Sequence, residues 1–388
     1  MKSTLSMSTL LSSRWLRVTP VVLSALLSAC SFWGSSKVAP PDLGENVPLL
    51  GVRQVWTSKV GAVALPAMDV RVQDNRVLLS SADGVVAAID ARTGGDIWRA
   101  TLGESLSAGA GGDGKYAAVV SRANVLIFLN EGRELWRQAL PSQVFTAPLV
   151  AGGRVFVLSA DRSVLAFDMQ TGKKLWTQLR QSSDTLVLKQ AGVIVPVGDT
   201  LVVGLSGRLV GLNPDTGTPR WEVPLASPRG VNDVERLVDL VGRVSRSGDS
   251  LCARAFQATV GCVNVLRDRA SVTWTQSASG SEGVHGDAEA VYGTENNGQV
   301  IAWRREDGSR LWSTDRLKLR KLTAPLALGR SVVVGDDYGW VHFLGRSDGA
   351  PLNRVATDTS GVAAAPVVAA DTLVVVTRSG AIYGFRPD

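Results

Sequence analysis

One spacing limits what this chain can become. A tryptophan follows a glycine by four residues at Gly94 and Trp98, Gly132 and Trp136, Gly172 and Trp176, Gly217 and Trp221, and Gly308 and Trp312. Trp274 ends a weaker copy with Ala270 in the glycine slot, Gly349 leads to Asn353 in the tryptophan slot, and Trp56 has no such turn before it. The slots fall at 56, 98, 136, 176, 221, 274, 312 and 353. Between them lie short apolar runs of period two, broken by Gly, Asp and Ser, which is how strands and hairpins read. Residues 155–176 are the cleanest copy: VFVL, ADRS, VLAF, DMQTG, then a run ending on Trp176. A period near 40 made of strands alone marks a β-propeller blade.

A single blade cannot bury its own faces, so the copies must pack side by side. The 388 residues would suit two or three ordinary domains, but the repeat makes residues 49–388 one ring. Residues 49–58 form a lone strand, and residues 366–386 supply three strands and no fourth. Pairing the first with the last three completes a blade and removes the open sheet edge. The expected fold is therefore all-β, an eight-bladed propeller of four-stranded blades closed by its own amino-terminal strand. In the Asp-x-x-Thr-Gly turns, Asp90 and Asp168 can hold the backbone, and the tryptophans are expected to pack between blades. The net charge of +6 comes from scattered Lys and Arg with no interleaved aromatic stripe, so no nucleic-acid partner is expected.

Residues 1–29 read as an export signal. Lys2, Arg14 and Arg17 precede the apolar stretch 18–27, which is too short to span a bilayer. Leu27-Ser28-Ala29-Cys30 resembles a bacterial lipobox. That resemblance implies cleavage before Cys30, acylation of Cys30, and anchoring through the acyl chains. Ser31 stands where an Asp would retain the protein in the inner membrane, so the outer membrane is expected, with the ring facing the periplasm. Residues 30–48, rich in Gly, Ser and Pro, read as a flexible tether.

Two repeat steps are long, 45 and 53 residues, and they flank the fourth blade. The extra residues are 180–192 and 225–242. Asn232 and Glu235 have capping-box spacing, and Val231, Val234, Leu237, Val238 and Val241 follow a helical period, predicting a short amphipathic turn. Long loops on a rigid scaffold are where function concentrates. Cys252 and Cys262 lie in adjacent predicted strands around Gln257 and face each other if that hairpin is symmetric. A disulfide and two buried thiols both fit. His285 and His342 are the two histidines, both in predicted strands, and no metal-ligand spacing, nucleophile elbow or phosphate loop is present. Asp336-Asp337 reads as an exposed turn or a weak cation site, and residues 316–321 (RLKLRK) as a solvated rim loop or a contact for anionic lipid or an acidic partner.

Ala166, Asp168, Thr171, Gly172 and Trp176 resemble the repeat of the pyrroloquinoline-quinone dehydrogenase propellers. Those enzymes carry an adjacent cysteine pair and acidic calcium ligands. This chain lacks the pair and is shorter, so no catalysis and no cofactor are expected, with a periplasmic quinoprotein-like dehydrogenase or a ligand-binding propeller as the alternatives. Lipobox, tether and eight blades together resemble the lipoprotein propellers of the outer-membrane β-barrel assembly machinery. The resemblance implies a scaffold that aids insertion of β-barrel proteins. Its implied partners are the periplasmic domains of the central barrel protein, other assembly lipoproteins, and unfolded barrel substrates. It also implies two contact loops. The first corresponds here to Leu186, Leu188 and Lys189, with Lys in place of Arg. The second corresponds to Glu235, Arg236, Leu237 and Asp239, with Val241 in place of a final Asp.

Overall fold

The computed structural model describes residues 39–63, 69–179, 187–228 and 237–388. Residues from Pro40 onward form one compact unit. Its strands make eight four-stranded antiparallel sheets, arranged as the blades of a ring. No helix occurs among the described residues. The third blade runs Leu149–Ala151, Arg154–Leu158, Val164–Asp168 and Lys174–Gln178 from the inside outward. The eighth blade is composite: Val52–Lys59 pairs antiparallel with Ala381–Pro387, outside Thr372–Val376 and Val367–Ala369.

The blade faces are apolar because their strands carry Val, Leu and Ile on both sides, and neighbouring blades bury them against each other. Val120 and Phe128 of blade two pack on Val155, Val157 and Phe167 of blade three. This removal of apolar surface from water, about 25 cal/mol per Å², is the main force holding the ring together.

The tryptophans of the repeat slots lock successive blades. Each sits on an outer strand, opposite a third-strand residue and next to a bulge, as Trp176 sits opposite Ala166. Its ring covers the turn glycine of the following blade. A Cβ on Gly172 would come within 2.6 Å of the Trp136 ring. Gly94, Gly217, Gly308 and Gly349 stand in the same relation to Trp56, Trp176, Trp274 and Trp312. The indole N–H then donates to a carbonyl of that turn: Trp136 to Met169 at 2.9 Å, Trp176 to Pro214 at 3.0 Å, Trp312 to Arg346 at 2.8 Å. The pattern breaks at Trp221, where blade five offers Ala270 instead of glycine. There the buried indole nitrogen finds no acceptor among the described residues.

Blade seven has Asn353 in the tryptophan slot, and the amino-terminal segment covers it. Asn353 donates to the Leu50 carbonyl at 2.7 Å and accepts from the Asn46 side chain at 3.0 Å. Leu43 packs against the cluster holding Trp312, Leu317 and Leu344. Residues 40–48, expected as part of a tether, belong to the compact unit, where Leu43 and Asn46 strap the outer wall of blade seven.

Strand order gives the ring two rims. One carries the blade-to-blade connections and the hairpins between second and third strands. The other carries the remaining turns.

Candidate partner-binding face

Both insertions leave the ring on the rim of connections, one on each side of blade four. Cys30, Leu186, Glu235 and Arg236 lie outside the described residues, as do Asn232 and the start of the expected helical turn. The end of that expected turn is not helical: Val241, fully buried, belongs to the inner strand Leu240–Ser247 of blade five. Apolar side chains of a strand that faces the ring on both sides can mimic a helical period over a few residues.

The described ends of the two loops are stitched together. Gly192 bridges Val241, and the Gly242 N–H donates to the Ala191 carbonyl at 2.8 Å. The Gly192 N–H donates to the Thr146 hydroxyl at 2.9 Å. Asp239 joins them further out. One carboxylate oxygen accepts the Leu188 N–H at 3.0 Å, and the other lies 3.4 Å from the Arg162 guanidinium. The side chains of Arg162 and Asp239 are only 7% and 15% exposed, so the pair is shielded from solvent and from salt.

Leu188 is half-buried beside a small cleft formed with Phe145, Leu158, Val187 and Leu240. Lys189 is exposed, Leu237 half-buried, and Val238 buried against Gly207. The carboxylate of Asp239, a residue of the second expected contact loop, is turned inward between the loops. The sequence reading overlooked Arg162. It sits in the second-to-third-strand hairpin of blade three at φ +63°, where a residue other than glycine or asparagine is uncommon. An arginine in that turn was the available signal.

Behind this face, Cys252 and Cys262 are direct register partners in blade five and are joined by a disulfide. The buried Arg305 guanidinium lies 3.0 Å from the Cys252 sulfur. Arg254, fully buried, pairs with Glu295 of blade six at 2.9 Å. Burial pulls its pKa down, and Glu295 pulls it back up. A Cβ on Gly280 or Gly293 would collide with that guanidinium, at 2.3 and 2.4 Å.

The ring encloses a central cavity of about 960 Å³. Arg243, from blade five, donates across it to the Pro366 carbonyl ahead of blade eight at 2.9 Å. Burial holds its pKa down to about 10, with Asp69 raising it and Arg71 lowering it. His285 accepts the Ala327 N–H on Nδ1 at 3.0 Å, and burial, then Arg243, hold it to about 3. It stays neutral and is a poor base at physiological pH. Burial raises the Glu282 carboxyl, and Arg254 opposes this. His342, in the strand Trp340–Gly345, shares the buried carboxylate of Asp336 with Arg320, at 3.0 and 2.8 Å. Asp336 is therefore not an exposed turn residue: its buried carboxylate is bonded by these two side chains. Among the described residues no cluster of three or more His, Cys, Asp or Glu could hold a metal.

Residues 82–314 match the profile of a family described as outer membrane protein assembly factor BamB. The chain is 38% identical over 374 residues to the outer membrane protein assembly factor BamB of Burkholderia pseudomallei, covering 95% of this chain and 97% of that protein. It is 33% identical over 372 residues to the BamB of Bordetella pertussis, covering 94% and 96%. The crystal structure of BamB from Moraxella catarrhalis superposes with a TM-score of 0.77 at 21% identity, covering 86% of this chain and 99% of that one. The quinohemoprotein alcohol dehydrogenase of Comamonas testosteroni shares the fold at a TM-score of 0.65 and 14% identity, covering 88% and 78%.

Proposed function

The chain belongs to the BamB family of outer membrane protein assembly factors, and from that membership we propose that it works as a non-catalytic scaffold in assembling β-barrel proteins into the outer membrane. Its partner surface is the rim of connections around blade four. The occupant is the set of periplasmic domains of the central barrel-assembly protein, and the other assembly lipoproteins join through the same complex. Leu186 and Leu188 serve as apolar anchors. Lys189, Glu235, Arg236 and Leu237 give charge and shape complementarity around them. Lipidation of Cys30 holds the ring at the periplasmic side of the outer membrane, where it can meet unfolded barrel substrates.

The observation that carries this reading is the stitching of the described ends of two long loops by the Asp239 carboxylate. Long connections on a repeat scaffold are otherwise its most mobile parts. Holding two of them in register costs conformational freedom, and a binding face is what that order supports. The dehydrogenase alternative rests on the blade motif and on fold likeness at 14% identity, both of which describe the repeat rather than a reaction.

Affinity capture of the tagged full-length protein from solubilised outer membranes tests the proposal. The barrel-assembly protein should co-purify, and Leu188→Glu should remove it while leaving the protein folded. Co-purification at undiminished yield with that variant would show that the interface lies elsewhere.

A further inference from the structure

The first residues of the compact unit lie beside a second surface. The strap on blade seven runs from Gly51, at the rim of turns, along the outer strand Pro351–Ala356, where Asn46 bonds Asn353 and Arg354 and Gly44 bonds Arg354. It ends in a cleft where Pro41, Asp42 and Leu43 meet Asp315, Arg316, Leu317 and Lys318. Those four begin the connection between blades six and seven. The anchored end thus emerges on the rim of connections, the rim that also bears both insertions. Nine positions separate Cys30 from Ala39, a reach of about 30 Å at full extension.

The connection itself is built outward. Leu319 is 49% exposed at φ +64°, a backbone region that costs a branched side chain free energy unless the surroundings impose it. Here they do. The Leu319 N–H donates to the Asn297 carbonyl of blade six at 2.8 Å, and Arg320 is pinned to Asp336 of blade seven. Tyr338, 48% exposed, stands beside it under the Arg320 guanidinium at 5.0 Å. Arg316, Lys318 and Lys321 belong to the same connection and are exposed. The acidic groups nearby are differently placed. Asp337 is half-buried and accepts the Lys321 N–H, while the exposed Asp42, Glu45 and Asp315 line the strap cleft with Arg316 and Lys318, a cleft that Leu319, Lys321 and Tyr338 do not line.

We propose that this tip, Lys318, Leu319, Lys321 and Tyr338, rests on the anionic phospholipid surface of the membrane that holds the anchor. An exposed apolar and an exposed aromatic side chain accompanied by two exposed lysines suit the headgroup region, where cations are attracted and the apolar atoms leave water. Each contact is weak alone. A tether of about 30 Å keeps the tip at high effective concentration over the bilayer, so weak contacts suffice to orient the ring. The partner face then also turns toward the membrane. This inference rests on the proposed anchoring at Cys30.

The full lipidated protein, reconstituted into phosphatidylcholine vesicles with and without phosphatidylglycerol, tests it. An environment-sensitive probe is placed at Leu319→Cys, and a control probe at Glu131→Cys on the opposite rim. With phosphatidylglycerol the Leu319 probe should be quenched several-fold more than the control by nitroxide at headgroup depth. Lys318→Gln with Lys321→Gln should weaken that association on the order of tenfold at low salt. Equal quenching of both probes, or no dependence on the anionic lipid, overturns the docking face. A Leu319 probe that responds only when the purified assembly protein is added assigns the tip to a protein and overturns it too. Wild-type protein that fails to float with either vesicle overturns the anchoring beneath it, a result distinct from flotation with an unquenched tip.

Discussion

The Asp239 carboxylate accepts the Leu188 N–H at 3.0 Å, so the loop before blade five sets the position of the loop before blade four. Arg162 completes the arrangement from blade three at 3.4 Å. Asp239→Ala should then act on the free protein: amide exchange at Leu188 accelerates before any partner is added. Arg162→Ala should reproduce part of that effect. Hydrogen bonds to charged groups contribute about 1.5–3 kcal/mol, so affinity for the periplasmic domains should fall about tenfold or more in each variant. The double variant should be little worse than Asp239→Ala alone, because both changes undo one unit. Unchanged Leu188 exchange in Asp239→Ala would assign Asp239 to the partner instead.

The blade-to-blade locks differ in strength. Trp136→Phe forfeits the 2.9 Å bond to the Met169 carbonyl and should lower stability by about 1 kcal/mol beyond the packing change. Trp221→Phe gives up a nitrogen that has no acceptor among the described residues and should cost markedly less. Gly172→Ala meets both a φ of +70° and a ring at 2.6 Å, so a loss of about 2–4 kcal/mol is expected. Urea unfolding of the three variants ranks them.

Acid should loosen the ring through His285. Its folded pKa is held to about 3, against about 6.5 in an unfolded chain. Between those values the unfolded state carries a proton that the folded state refuses, so stability falls as pH drops below about 6.5. At 1.36 kcal/mol per unit, the loss from this group reaches on the order of 2 kcal/mol at pH 5. His285→Asn, which keeps an acceptor for the Ala327 N–H, should flatten the stability profile between pH 7 and 5. An identical slope in the variant would remove His285 as the source.

Opening the disulfide between Cys252 and Cys262 frees a loop of separation 10 in the unfolded chain. Cys252→Ala with Cys262→Ala should cost about 2–3 kcal/mol, read as a lower urea midpoint. Reductant should lower the wild-type midpoint comparably and leave the variant unmoved.

Fold and site were legible in the chain to different degrees. The Gly and Trp slots prescribe blade number, strand order and the composite closure, because each blade repeats one packing problem. The same periodicity cannot say which blade a tryptophan serves, since Gly172 is next to Trp176 in sequence yet lies beneath Trp136. The positions of the insertions were legible from the long steps. The direction of Asp239 was not. A carboxylate in a polar loop reads as solvated unless its counter-ion is known, and Arg162 lies 77 residues away. Pro40 to Pro48 has a loop composition, so its packing on blade seven is not visible in the sequence. It is held by side-chain amides of Asn46 and Asn353 and by Leu43, contacts without a periodic signature.

The tryptophan that covers the next blade's turn divides most junctions between successive repeats. A single blade lifted out of this ring would carry the indole for its successor and the turn for its predecessor, and fit neither end of a foreign gap. Grafts, duplications and circular permutations of such a ring should therefore succeed when the cut falls inside a blade, between the third and outer strands, so that indole and turn travel together. The chain's own termini make that cut: Val52–Lys59 arrives bearing Trp56 for the first full blade, and Ala381–Pro387 ends where it waits.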